Sequence, residues 1–111
     1  MISSQQTEYE FELHLAGISK INKNVEDRLF LAGCDDATLS SQNGKVSLVF
    51  SRESTSLKNA IISAISDVNS SGLSVTVLGV DLCEPNDTGH REELLLINEM
   101  IQLFYPLEQK P

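Results

Sequence analysis

Asn43-Gly44 sits between two short runs, Ala37 to Gln42 and Lys45 to Arg52, and constrains the fold more than any other pair in the chain. Both central residues of the preferred two-residue hairpin turn take positive φ, which Asn and Gly tolerate and most side chains resist. In the second run Val46, Leu48 and Phe50 alternate with Lys45, Ser47 and Ser51, the period of a strand with one buried face. An antiparallel hairpin is therefore expected at mid-chain, and the flanking segments must cover its apolar side.

Upstream, Tyr9, Phe11, Leu13 and Leu15 recur at period two, with Glu10, Glu12 and His14 between them, and Gly17 ends this first strand. Asn24 is a plausible N-cap for a helix whose first turn carries Glu26 and Asp27, and Ile21, Val25, Leu29 and Ala32 share its inner side. Gly33 supplies the left-handed stop. Downstream, Ser54 or Ser56 caps a second helix with Leu57, Ala60, Ile61, Ala64, Ile65 and Val68 on one stripe, ending at Ser70-Ser71-Gly72. Leu73 to Leu82, rich in Val and Leu, reads as a fourth strand.

Strand, helix, hairpin, helix, strand is the split βαβ order. Residues 1–82 are thus expected to form an α+β, ferredoxin-like βαββαβ domain, a four-stranded antiparallel sheet with two helices on one face, followed by a C-terminal helix. Phe11, Leu13, Val46, Leu48, Phe50, Val75 and Val77 would line the covered face. Glu10, Glu12, His14, Thr38, Ser40, Ser47, Val49, Ser74, Thr76 and Leu78 would line the other.

Residues 83–111 form a turn-rich linker and a hydrophobic helix, His90 to Phe104, with Asp87 or Thr88 as a cap and Pro106 as its stop. Its apolar residues occupy more than one stripe, so the helix must bury two faces or find a partner. It either packs on the open sheet face or the side of its own domain, or pairs with a second copy in a homodimer. Leu94, Leu95, Ile97, Met100, Ile101, Phe104 and Tyr105 are the candidate interface.

The chain has 111 residues with 8 basic and 16 acidic side chains, a net charge of −8. A single domain of this length buries roughly two-thirds of its extended surface, enough for a core without disulfides or a structural metal. The acidic balance disfavours nucleic acid and anionic membranes, whose binding needs a cationic face. Neither Cys34 nor Cys83 has a second Cys or His at zinc-site spacing, so no metal or other cofactor is expected and the two thiols read as reduced. The first residues show neither a basic start nor an apolar run of signal-peptide length, and Leu94 to Ile97 is far too short to span a bilayer. The expected location is cytoplasmic.

Candidate chemistry is thin. Cys34 is followed by Asp35 and Asp36, and acidic neighbours raise a thiol pKa, which opposes a reactive thiolate. His14 stands among strand glutamates and reads as a surface ion pair; His90 stands at the start of the last helix. No nucleophilic triad ordering, P-loop or dinucleotide-binding glycine pattern occurs. No catalytic residue is assigned, and the chain is not expected to be an enzyme. One loop, between the first strand and helix, offers Gly17, Ser19, Asn22 and Asn24 near helix N-terminal amides, a candidate site for a small anion or carboxylate. A plain helix entry would use the same residues.

Several stretches, Tyr9 to Gly17, Asn24 to Ala37 with its Ala-Gly-Cys-Asp-Asp-Ala run, Val46 to Glu53, and Ser56 to Val68, resemble the N-terminal domain of small bacterial helix-turn-helix proteins. The resemblance covers about residues 8–82 and implies a regulatory or assembly domain, and a DNA contact in the part that follows. Here residues 83–111 hold two basic residues, Arg91 and Lys110, against six acidic ones, and no helix-turn-helix is recognisable. The element order is also similar to that of ACT-type regulatory domains, which implies amino-acid or carboxylate sensing at the Gly17 loop and edge-to-edge sheet pairing. The expected function is a non-enzymatic, self-associating regulatory or protein-interaction module. A sensing domain is the first alternative and a DNA-binding protein the second.

Overall fold

A computed structural model describes residues 7–18, 20–83 and 91–104, with residues 91, 103 and 104 described by their backbone only. The elements are β1 (Thr7–Ala16), α1 (Lys23–Ala32), β2 (Ala37–Gln42), β3 (Lys45–Ser54), α2 (Leu57–Asn69), β4 (Thr76–Leu82) and α3 (Arg91–Phe104). The four strands form one antiparallel sheet in the order β2-β3-β1-β4, consistent with the ferredoxin-like βαββαβ fold.

The hairpin forms where the Asn-Gly pair demands it, with φ of 56° at Asn43 and 78° at Gly44. It sets the β2/β3 register at Gln42 opposite Lys45, which places Leu39 opposite Leu48 and Ala37 opposite Phe50. Next across the sheet, Phe11 faces Phe50 and Leu13 faces Leu48, and the two phenyl rings stack with centroids 5.3 Å apart. These residues join Val25 and Leu29 of α1 and the whole α2 stripe, Leu57, Ala60, Ile61, Ala64, Ile65 and Val68, in one core. Each large aliphatic side chain buried there contributes about 1.5–3 kcal/mol.

Three local details differ from the sequence expectation, and one more selects between two residues it offered. The α1 N-cap is Asn22, whose Oδ1 accepts from the Val25 N–H at 2.9 Å, and Asn24 lies inside the helix. Of the two serines before α2, Ser56 is the cap, accepting from the Asn59 N–H. β4 begins at Thr76, because Gly72 takes φ 82° and a tight Val75 N–H to Leu73 C=O turn bends the chain, so Ser74 and Val75 lie outside the sheet. Finally, the β1/β4 register shifts between His14 and Leu15, so that Gly79 opposes His14 while Val77 opposes Leu15. This bulge inserts Leu78 and turns Val80 inward with Val77, which simple alternation does not do.

α3 lies against its own domain. It packs beside β4, with Ile97 and Ile101 buried in the common core. Its predicted caps, Asp87 and Thr88, lie outside the described residues. No helix among those described is long and apolar enough to cross a membrane.

Candidate functional site

The densest polar cluster is built on Arg52, which continues the inward alternation of Val46, Leu48 and Phe50. A guanidinium directed to the covered side of a sheet has to be paired and hydrogen-bonded. Its Nε donates to Asp36 Oδ2 at 2.7 Å and its Nη2 to Asp36 Oδ1 at 2.9 Å, a bidentate fork. Nη2 also lies 3.0 Å from Asp67 Oδ2 and donates to the Gly33 carbonyl at 2.8 Å, while Nη1 donates to Ser63 Oγ at 3.0 Å. The guanidinium carbon stands 5.0 Å from the centre of the Phe50 ring. The Asp36 hydrogen bonds hold the Arg52 pKa above its ordinary value, against the opposing effect of burial.

Gly33 makes this cluster possible in two ways. It caps α1 at φ 117°, and a β-carbon there would sit 2.7 Å from Asp67 Oδ2. The end of α1, the start of β2, β3 and α2 thus meet at one side chain that is 11% exposed. Arg52 is fully engaged by these partners, so the cluster acts as a structural clasp, while the Asp36 and Asp67 side chains keep partial access to water. Arg52 was not singled out from sequence, although a cation at an inward period-two position is a usable signal.

Cys34 adjoins the clasp, buried, with its pKa pushed up from 9.0 to about 12 by burial first and by Asp67 next, with smaller contributions from Asp36 and Asp35. Arg52 acts in the opposite sense and is outweighed. The acidic surroundings expected from the Cys-Asp-Asp run are present, and a thiol held in this way is a poor nucleophile. Neither Cys34 nor Cys83 is in a disulfide.

On the uncovered sheet face His14 Nε2 lies 2.8 Å from Asp81 Oδ2, and Ser47 Oγ donates to Glu12 Oε2 at 2.6 Å. The histidine therefore pairs with a carboxylate, although with an aspartate on β4 and not with a neighbouring glutamate. A shallow depression of about 480 Å³ lies here between Glu12, His14, Ser40, Lys45 and Leu78. Among the described residues no group of three or more His, Cys, Asp or Glu side chains is arranged to hold a metal ion.

The candidate anion loop is already committed to the fold. Gly17, at φ 98°, brings β1 so close to Ser74 that a β-carbon would lie 2.3 Å from its carbonyl oxygen. Asn22 Oδ1 is occupied by the Val25 amide, Asn24 is exposed on the first turn of α1, and Ser19 lies outside the described residues.

The candidate interface on α3 divides. Ile97 and Ile101 are buried in the chain's own core and Leu94 packs against it, because this side of the helix faces the β4 edge. Leu95 and Leu96 are 62% and 64% exposed, and Met100 is half-buried beside a groove of about 360 Å³ shared with Lys58, Glu93 and Leu96. The Phe104 side chain and Tyr105 lie outside the described residues. Two residues of this helix that periodicity missed carry its docking. Asn98 Oδ1 accepts from the Val80 N–H at 2.8 Å, its Nδ2 donates to the Val80 carbonyl at 3.0 Å, and Gln102 Nε2 donates to the Leu78 carbonyl at 3.0 Å.

Compared with protein-family models, with curated proteins and with solved structures, the chain matches none.

Proposed function

We propose that this chain is a non-enzymatic regulatory or protein-interaction module that acts by associating with copies of itself. The observation that carries this reading is the distribution of exposed apolar side chains. Phe30 and Leu31 on α1 are 60% and 84% exposed, and Leu95 and Leu96 on α3 form a second consecutive pair. Large apolar residues exposed side by side, on a chain whose net charge of −8 otherwise keeps molecules apart, favour contact with another protein surface. The reactive groups point the same way, since Arg52, Asp36 and Asp67 are bonded to one another and the Cys34 thiol is held protonated.

Sedimentation of the full chain over a concentration series tests the proposal. A dimer that forms with concentration, and that weakens on F30E/L31E or L95E/L96E substitution, is the expected result. A monomer up to high micromolar concentration overturns it.

A further inference from the structure

The two edges of the sheet are finished differently, and we infer that β2 is the association surface, pairing antiparallel with β2 of a second copy to make one continuous eight-stranded sheet. This rests on the self-association proposed above and names its surface. In a two-residue hairpin the residues flanking the turn form a hydrogen-bonded pair, and such pairs recur at every second position. Gln42/Lys45, Ser40/Ser47 and Thr38/Val49 are therefore bonded within the sheet, which directs the N–H and C=O of Leu39 and Ser41 outward along the free edge. Among the described residues nothing pairs with them. The equivalent outward groups on β4, at Val80 and Leu78, are covered by Asn98 and Gln102.

Edge strands are ordinarily protected by a charge, a proline, a bulge or a covering element. Ala-Thr-Leu-Ser-Ser-Gln has no charge and no proline, and its pairing with β3 runs without a register shift. The register that engages Leu39 and Ser41 of both copies without drawing on Ala37, whose N–H is bonded to the Cys34 carbonyl, or on the turn residue Asn43, is the one centred on Ser40. With Ser40 opposite Ser40 across a two-fold axis, Leu39 of each copy faces Ser41 of the other, and their four outward N–H groups and carbonyls make two reciprocal pairs of bonds. The remaining strand pair, Thr38 with Gln42, is uncharged, so no like charges meet on the joined strands. The same register sets the turn of one copy, with exposed Lys45 directly after it, near the exposed Asp35 that precedes the strand of the other. On the helix side a groove of about 340 Å³ runs between Glu26, Phe30, Ala37 and Leu39, so Phe30 of each copy is placed to cover the new junction.

The test is sedimentation of the full-length wild type and of Ser41→Pro and Leu39→Lys, with amide exchange followed at Leu39 and Ser41. Proline is tolerated at an outward edge position and removes only a donor, so Ser41→Pro should fold as wild type when dilute. The inference expects a wild-type dimer, a dissociation constant weakened tenfold or more in both variants, and protection of the Leu39 and Ser41 amides that grows with concentration. If Ser41→Pro does not fold, Leu39→Lys and the wild-type exchange pattern decide. A dimer unaffected by either variant but lost in L95E/L96E overturns the β2 assignment and leaves the association reading in place. A monomeric wild type overturns both, and protected amides in that monomer would show that the chain's own residues cover the edge.

Discussion

The β4 edge and the β2 edge carry the same liability, a row of backbone groups without a neighbouring strand, and the chain treats them in opposite ways. At β4 it supplies a helix. Ile97 and Ile101 anchor α3 in the core, and Asn98 offers Val80 both an acceptor and a donor, as a further strand would. At β2 the described residues supply only an anchor at the start, where Asp36 is held by Arg52. Covering an edge takes two things together, apolar side chains to hold the cover and amides to satisfy the backbone.

The two edges become alike if α3 loses its hold. Ile101→Ala removes a side chain that is 2% exposed and should cost about 2–5 kcal/mol in chemical denaturation, with faster exchange of the Val80 amide. Arg52→Ala leaves Asp36 and Asp67 facing each other at the root of β2. The two carboxylates keep partial access to water, so about 2–3 kcal/mol is expected by the same measurement, below the loss for a fully buried pair. Asn98→Ala keeps the packing of α3 and removes only the amide. About 1–2 kcal/mol should be lost, and association through β4 should appear beside any through β2 if the amide is what closes that edge.

The smallest effect is a titration. The folded Cys34 pKa, at about 12, lies above its ordinary 9.0, so its contribution to stability is complete below pH 9 and is lost as the pH rises toward 12. Urea midpoints followed across that window should fall less steeply in Cys34→Ala than in wild type. Because Cys34 lines the groove beside β2, its rate of alkylation reports opening on that side, and it should react far more slowly than exposed Cys83.

Much of the fold is legible in local pattern. The hairpin follows from Asn43-Gly44, the end of α1 from Gly33, and the entire buried face of α2 from six residues at helical spacing. The caps were legible only as pairs of neighbours, Asn22 against Asn24 and Ser54 against Ser56, because any short polar side chain before a helix is a chemically adequate cap. The candidate ligand loop carries the same ambiguity, since Asn22 suits an anion and a helix start equally, and its Oδ1 accepts from the Val25 amide. The clasp was missed because its partners lie 15 and 16 residues from Arg52 in sequence, beyond any helical or strand repeat.

By itself, then, the sequence determines the kind and order of the elements and which side of each is apolar, since turn geometry and burial period depend on residues within a few positions. Only the tertiary structure decides the bulge that turns Val80 inward, the meeting of Arg52 with two aspartates, and the position of α3. These depend on which polar groups remain unsatisfied once the sheet is assembled. A backbone amide at the β4 edge selects its partner by proximity, and proximity is a property of the folded chain alone.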